Sequence, residues 1–263
     1  MSLKIVIAGG LGRMGQTLIE LAGSDSACSV VGITLAEEEV APSGAALLAS
    51  NYTHDLDEVL ANAQVLIDFT SPNALQTHAA ACKKAGASWV LGTTGLDESH
   101  KAIVSDAAES IAICQAANFS TGVNLMLRLV ELAARAVDEE TDLEVIEAHH
   151  KHKVDAPSGT ALAIGKALAA GRDHELGERA VYSREGITGA RQPGTIGFAT
   201  IRGGDIIGDH TALFASEGER LEITHRAGTR HAFARGALRA AAWLKDQKPG
   251  HYDMQDVLRL REA

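Results

Sequence analysis

The sequence predicts an α/β fold: a doubly wound parallel sheet in the first part of the chain and a second α+β domain with an open mixed sheet. Three observations carry this. Short apolar, β-branched runs alternate with helical patterns from Leu3 to Cys114, the rhythm of βα units. Beyond Val137 that rhythm stops and strand-like runs follow one another. Aromatic residues make up only 4% of the chain while Ala and Gly abound, which suits helices packed closely on a parallel sheet.

Leu3-Lys-Ile-Val-Ile-Ala8 reads as a buried parallel strand. It runs into Gly9-Gly-Leu-Gly-Arg-Met-Gly15, after which Leu18, Ile19, Leu21 and Ala22 recur at helical spacing. Strand, glycine turn and helix form the context in which a G-x-G-x-x-G pattern carries weight. Gly10, Gly12 and Gly15 match it, and Gly9, Gly12 and Gly15 match a looser variant. Glycines let backbone approach a pyrophosphate, and the helix start then faces it with N–H groups. Arg13 can reach a phosphate or stack on adenine. The expected unit is Rossmann-like. Its second strand is Ser29–Thr34, after which an acid takes the ribose hydroxyls in such folds. Glu37, in Leu35-Ala-Glu-Glu-Glu39, is the candidate. No Arg or Lys lies there to meet a 2′-phosphate, which favours NADH over NADPH.

Val65–Thr70 is the third strand, and Ser71-Pro-Asn opens a helix running through Ala85. Trp89–Leu91 is the fourth, ending in Gly92-Thr-Thr-Gly95. Ile111–Cys114 is the fifth, ending in Gln115-Ala-Ala-Asn-Phe-Ser120. Ligands bind at the carboxyl ends of such strands, so Phe69, Thr93, Thr94, Asn118 and Phe119 are candidate walls of a nicotinamide pocket. Ser120–Val137 reads as an amphipathic helix with Val123, Leu127, Val130 and Ala134 on one face. Leu143–Ile146, Thr195–Ile201, Thr211–Phe214 and Arg220–Thr224 read as strands of the second sheet. An open sheet presents a face for burial, and self-association is the usual solution. His231–Leu244 is a final helix expected to return to the first domain. The expected division is a dinucleotide-binding domain of residues 1–120 and 230–263, and a substrate-binding and oligomerisation domain of residues 121–229.

Composition narrows the function classes. A chain of 263 residues with 46% hydrophobic content can bury a substantial core. Its net charge of −10 argues against a nucleic-acid partner. Cys28, Cys82 and Cys114 are odd in number and lie in or beside apolar segments, reading as reduced thiols. The chain enters a strand at once, without a charged leader, and no apolar run approaches membrane-spanning length. A cytoplasmic protein with no membrane partner is expected.

Against that acidic background, Glu147-Ala-His-His-Lys-His-Lys-Val-Asp-Ala-Pro-Ser-Gly-Thr160 packs five His or Lys residues between His149 and Lys153. An Ala-rich helical run follows. Helix-start N–H groups beside the Ser158 and Thr160 hydroxyls form an anion site. Lys153 adds a positive charge, and the His residues can donate protons near neutral pH. His150 and His152 are a conceivable metal pair, but two lysines beside them and no cysteine disfavour it, and no metal is expected. The pattern fits gripping and protonation of a small, multiply anionic substrate. Two other readings stay open: a nicotinamide-dependent dehydrogenase of another small anion, such as an amino acid, and a non-catalytic dinucleotide sensor.

Gly9-x-x-Gly-Arg-Met-Gly15, Gly92-Thr-Thr-Gly95, Asn118-Phe-Ser120, Glu147-Ala-His-His-x-His-Lys-x-Asp-x-Pro-Ser-Gly-Thr-Ala161 and Arg202-Gly-Gly-Asp-x-x-Gly-x-His-Thr211 resemble the 4-hydroxy-tetrahydrodipicolinate reductase family along essentially the whole chain. The resemblance implies reduction of a cyclic dicarboxylate with hydride from NADH or NADPH, with release of water, in lysine biosynthesis by the diaminopimelate route. It implies His149 as general acid and Lys153 as the second catalytic residue. It implies His150, Gly159 and Thr160 as holders of the substrate carboxylates. Gly9, Gly10, Leu11, Gly12, Arg13 and Met14, with Gly92, Thr93, Thr94, Ala116, Ala117, Asn118 and Phe119, would line the cofactor. A homotetramer built through the second domain's sheet is also implied. One departure stands out. Family members commonly carry an acid and then an Arg after the second strand, where this chain has Ala36 and Glu37.

Overall fold

The computed structural model describes residues 2–42 and 51–261. The chain divides into two compact units, Met1–Thr121 with Arg230–Ala263, and Gly122–Thr229.

The first unit contains β1 (Leu3–Ala8), β2 (Cys28–Thr34), β3 (Tyr52–Thr53), β4 (Val65–Asp68), β5 (Ser88–Leu91), β6 (Ala112–Gln115) and β12 (Gly250–Tyr252). They form one sheet in the order β12-β6-β5-β4-β1-β2-β3. Every neighbouring pair is parallel. The order reverses between β1 and β4, which makes the sheet doubly wound and sets the place where ligands enter such folds. Alternate strand residues face opposite sides. Ile5 and Ile7 pack with Leu18 and Ile19 of α1 (Arg13–Ser24) and with Ala237, Ala241 and Leu244 of α8 (His231–Leu244). Val6 and Ala8 pack with α2 (Leu56–Leu60), α3 (Leu75–Ala85) and α4 (Glu98–Ala108).

The final helix therefore returns to this sheet because its inner face is small: Ala234, Gly236, Ala237, Ala240 and Ala241 are all buried. Beyond it lie β12 and α9 (Met254–Val257), which sequence patterning does not announce. β12 is only three residues long and is fixed by pairing with β6, Gly250 against Ala112.

The second unit is built on β7 (Asp142–His149), β8 (Ala180–Val181), β9 (Ile196–Arg202), β10 (Asp209–Ser216) and β11 (Glu219–Arg226). Their order is β11-β10-β7-β9-β8. β10 is antiparallel to β7 and β11, whereas β9 is parallel to β7 and β8, so the sheet is mixed. Leu143, Val145, Phe198, Ala212 and Phe214 form one face. They pack on Met126 and Val130 of α5 (Thr121–Ala136) and on Ile164 and Leu168 of α6 (Gly159–Gly171). Ile146, Leu213 and Ile201 point to the other face and remain half-exposed or exposed.

The strand expected to stop at Ile146 continues to His149. Ladders on both sides carry it further, with Ala148 opposite Asp209 and His149 opposite Arg202. Glu147 and His149 are therefore strand residues on the helix-facing side, not members of a loop.

Close packing of α8 sets a stability test. A Cβ on Gly236 would overlap the carbonyl oxygen of Phe119, so Gly236→Ala should cost about 1–3 kcal/mol or more in chemical denaturation. In α7 (Leu176–Arg179), a Cβ on Gly177 meets nothing within 4 Å. Gly177→Ala should therefore be neutral or stabilise by up to about 1 kcal/mol.

Candidate active site

The helix-facing side of the second sheet ends in a cluster of ionisable groups. Glu147 and His149 are two residues apart on β7, so both point to the same face, and both are buried. His210 on β10 lies directly across from Glu147, and Arg202 on β9 lies across from His149. The N-terminus of α6 completes the group with Ser158 as its N-cap.

Glu147 is 1% exposed and accepts four hydrogen bonds. Arg202 donates from Nη1 to Oε2 and from Nη2 to Oε1, both at 2.8 Å. The Ser158 amide donates to Oε1 at 3.1 Å, and His149 Nδ1 meets Oε2 at 2.6 Å. Burial pushes the Glu147 carboxyl up, but the bonds from Arg202, His149 and Ser158 outweigh it and hold it below its ordinary range. An ionised partner at Nδ1 makes that nitrogen the donor, so the ring's exchangeable position is Nε2. Glycine leaves room beside that nitrogen: a Cβ on Gly208 would lie a tight 3.0 Å from His149 Nε2.

His210 is 4% exposed, and its ring meets that of His149 edge-on at 5.0 Å between centroids. Ser158 Oγ accepts from the Ala161 amide, so its own proton is available to His210 Nε2, 3.0 Å away. Burial, and after it the neighbouring His149, lower the His210 pKa to about 4. His210 is thus neutral at pH 7, and His149 has no competing imidazolium beside it.

Lys153 Nζ donates to Asp155 Oδ1 at 2.8 Å, which holds the Asp155 carboxyl below its usual range. Arg202 also ties down this loop by donating to the Asp155 carbonyl at 2.7 Å. Gly159 and Thr160 are the first two residues of α6, where the backbone and the helix dipole favour an anion. His150 is half-buried, with its ring 6.2 Å from that of exposed His152. Among the described residues no three His, Cys, Asp or Glu side chains gather as a metal set. The structure thus brings His149, Lys153, Ser158, Gly159 and Thr160 into one region of the second unit.

In the first unit the candidate cofactor residues lie at strand carboxyl ends. Gly9 turns the chain at φ +69°, and Gly12 caps α1 without a side chain. A Cβ at Gly15 would meet the Gly9 and Gly10 backbone, so helix and turn pack as closely as glycine allows. Gly12 and Arg13 are exposed, with Leu11 and Met14 half-exposed. This glycine cradle below an uncapped helix start fits a dinucleotide pyrophosphate. Glu37 is exposed in the turn after β2, which Glu39 closes by accepting from the Ala36 amide at 2.9 Å. Gly92, Thr93 and Thr94 follow β5, and Ala116, Ala117, Asn118 and Phe119 follow β6. Asn118 Oδ1 accepts from the Ser120 amide, and the Phe119 ring is buried edge-on against Phe69.

Sequence reasoning gave no roles to Glu147, Arg202, Gly208 or His210, although all four stand in its quoted motifs. A carboxylate two residues before a histidine was the available signal. It becomes readable only once β7 is known to run through both.

The Dihydrodipicolinate reductase, N-terminus, family model matches residues 3–119, and the Dihydrodipicolinate reductase, C-terminus, model matches residues 122–258. A 4-hydroxy-tetrahydrodipicolinate reductase of Laribacter hongkongensis is 51% identical over 265 residues, covering 98% of this chain and 99% of the relative. That of Thiobacillus denitrificans is 48% identical over 267 residues, covering 99% and 100%. Among solved structures, a dipicolinate-bound dihydrodipicolinate reductase from Paenisporosarcina sp. TG-14 is similar with a TM-score of 0.80. It is 25% identical and covers 97% of this chain and 99% of that one.

The charge states set a pH test. Folded His210 takes up its proton near pH 4, whereas the unfolded chain does so near 6.5. Between those values the unfolded state binds more protons, so stability falls as pH drops, by roughly 3 kcal/mol across the window. Glu147 acts in the same direction at lower pH, because its folded carboxyl lies below its ordinary value. Urea unfolding from pH 7 to 4 should show this loss, and His210→Gln should flatten it above pH 4.5.

Proposed function

The chain belongs to the dihydrodipicolinate reductase family, and from that premise we propose how its residues divide the work. The enzyme is an NAD(P)H-dependent 4-hydroxy-tetrahydrodipicolinate reductase of lysine biosynthesis by the diaminopimelate route. One hydride and one proton enter, and one water leaves. The observation that carries the residue roles is the Glu147–His149 pair at the end of β7.

The substrate is a small dicarboxylate. One carboxylate is assigned to the start of α6, Gly159 and Thr160, with Ser158 fixing the turn through its cap to Ala161. Lys153 supplies positive charge to the same grip, and His150 supplies a ring N–H. His149 holds the proton at Nε2, because Nδ1 is committed to Glu147. Hydride addition to a conjugated imine drives electrons onto the ring nitrogen, which needs a proton donor within hydrogen-bond reach. His149 is that donor, and the ionised Glu147 stabilises its protonated ring. Lys153 is the second catalytic residue, held in place by Asp155.

The nicotinamide cofactor, when bound, supplies the hydride. The glycine turn Gly9–Gly12, with Arg13 and Met14, would hold its pyrophosphate. Glu37 would meet the adenosine ribose, and Gly92–Thr94 with Ala116–Phe119 would face the nicotinamide end. The turn after β2 carries three acids and no base, which supports NADH over NADPH. Among the described residues no helix is long and apolar enough to cross a membrane. The half-exposed outer face of the second sheet supports a homotetramer. Three free thiols support a cytoplasmic enzyme.

Activity is followed as NADH absorbance loss, with substrate made in situ from pyruvate and aspartate semialdehyde. His149→Gln should lower kcat by about 10²–10⁴-fold, and Lys153→Ala should lower kcat/KM. Neither should alter NADH affinity measured without substrate. Full activity in both variants would contradict the assignment. KM for NADH should lie below that for NADPH, and the reverse order would overturn the preference.

A further inference from the structure

Asp68 ends β4 and is 1% exposed, a buried carboxylate that the reaction does not use. His78 Nδ1, on α3, meets its Oδ2 at 2.7 Å. Thr70 donates to Oδ1 from its amide at 2.9 Å and from its hydroxyl at 2.7 Å. Thr93 donates to Oδ1 from its hydroxyl at 3.3 Å. Burial pushes the Asp68 carboxyl up, but the bonds from His78 and Thr70 hold it below the usual carboxylate range.

A buried carboxylate held by polar partners is on average no more stabilising than apolar packing of the same volume. What this one adds is position. Strand order reverses between β1 and β4, where such sheets bind their ligand. Each group that Asp68 holds is at this end. Anchoring the Thr70 hydroxyl sets its χ1, and its methyl then lies where a Cβ on Gly9 would come within 2.9 Å. Thr93 belongs to the tip of β5. Between them, the Phe69 ring covers Gly92, where a Cβ would strike it, and meets Phe119 edge-on at 5.4 Å between centroids. One carboxylate thus fixes the tips of β4 and β5, and through Thr70 the start of the glycine turn.

We propose that Asp68, paired with His78, is a positioning residue for the nicotinamide half of the cofactor, holding Thr70 and Thr93 where the ring must be seated. This rests on the reading of the first unit as the dinucleotide site. The test compares NADH with ADP-ribose, which keeps the pyrophosphate and lacks the nicotinamide. Both are titrated calorimetrically into wild type, Asp68→Asn and Thr93→Val, and steady-state kinetics are run in parallel. Asp68→Asn should weaken NADH by about tenfold and ADP-ribose by less than about threefold. Its KM for NADH should rise and its kcat fall, while dipicolinate affinity is kept. Thr93→Val should show the same split in smaller measure, and it carries the test if Asp68→Asn does not fold. Equal weakening of NADH and ADP-ribose would overturn the proposal, as would unchanged affinities with a lowered melting temperature. Wild type that binds neither nucleotide would overturn the cofactor reading itself, and the proposal with it.

Discussion

The buried carboxylate of Glu147 is the interaction on which the proposed catalytic region depends. Its hydrogen bonds reach β7 itself through His149, β9 through Arg202, and α6 through the Ser158 amide. Strand, neighbouring strand and helix start are therefore set relative to one another by a single group. Removing one partner of a buried ion pair typically costs about 3–5 kcal/mol, because the other charge is left unpaired. The same bonds that stabilise the region also choose which nitrogen of His149 carries the mobile proton.

Charge is distributed so that only one imidazole in the cluster is placed to act. Arg202 neutralises Glu147, and Asp155 takes the Lys153 ammonium. Burial keeps His210 neutral at its position across from Glu147. The first unit uses a related device: Asp68 ends its strand as Glu147 nearly ends β7, and each holds a histidine through Nδ1 at 2.6–2.7 Å. In one unit the histidine's Nε2 lies close against buried Gly208. In the other it is a buried anchor on α3. The chemistry of the carboxylate–histidine pair is shared and the two rings are equally buried, so surroundings separate the proposed proton donor from the scaffold: Arg202 and the start of α6 share Glu147 with His149, whereas the strand-tip threonines share Asp68 with His78.

Much of this was legible in the sequence because its signals are local. The βα rhythm, the Gly9–Gly15 turn and the Ser158 cap each depend on a few adjacent residues, and the parallel sheet, α1 and α6 follow from them. What was not legible depends on pairing between distant segments. β3 and β12 are two and three residues long and exist through their ladders to β2 and β6. The last residues of β7 belong to a strand only because β9 and β10 flank them. Arg202 and His210 reach Glu147 across 55 and 63 positions of sequence, and no periodicity records such a contact. The single glycine at 208 looks like a turn residue until its neighbour, His149, is in view.

The most direct test of the central claim is nitrogen NMR of the His149 imidazole, assigned among the 11 histidines by the resonance missing in His149→Gln. If Glu147 fixes the ring, the neutral form carries its proton on Nδ1, and Nε2 is the nitrogen that titrates. In Glu147→Gln that tautomer preference should weaken, and activity should fall with it. A neutral ring protonated on Nε2 in wild type would contradict the account, because the proton would then not be held where Glu147 places it.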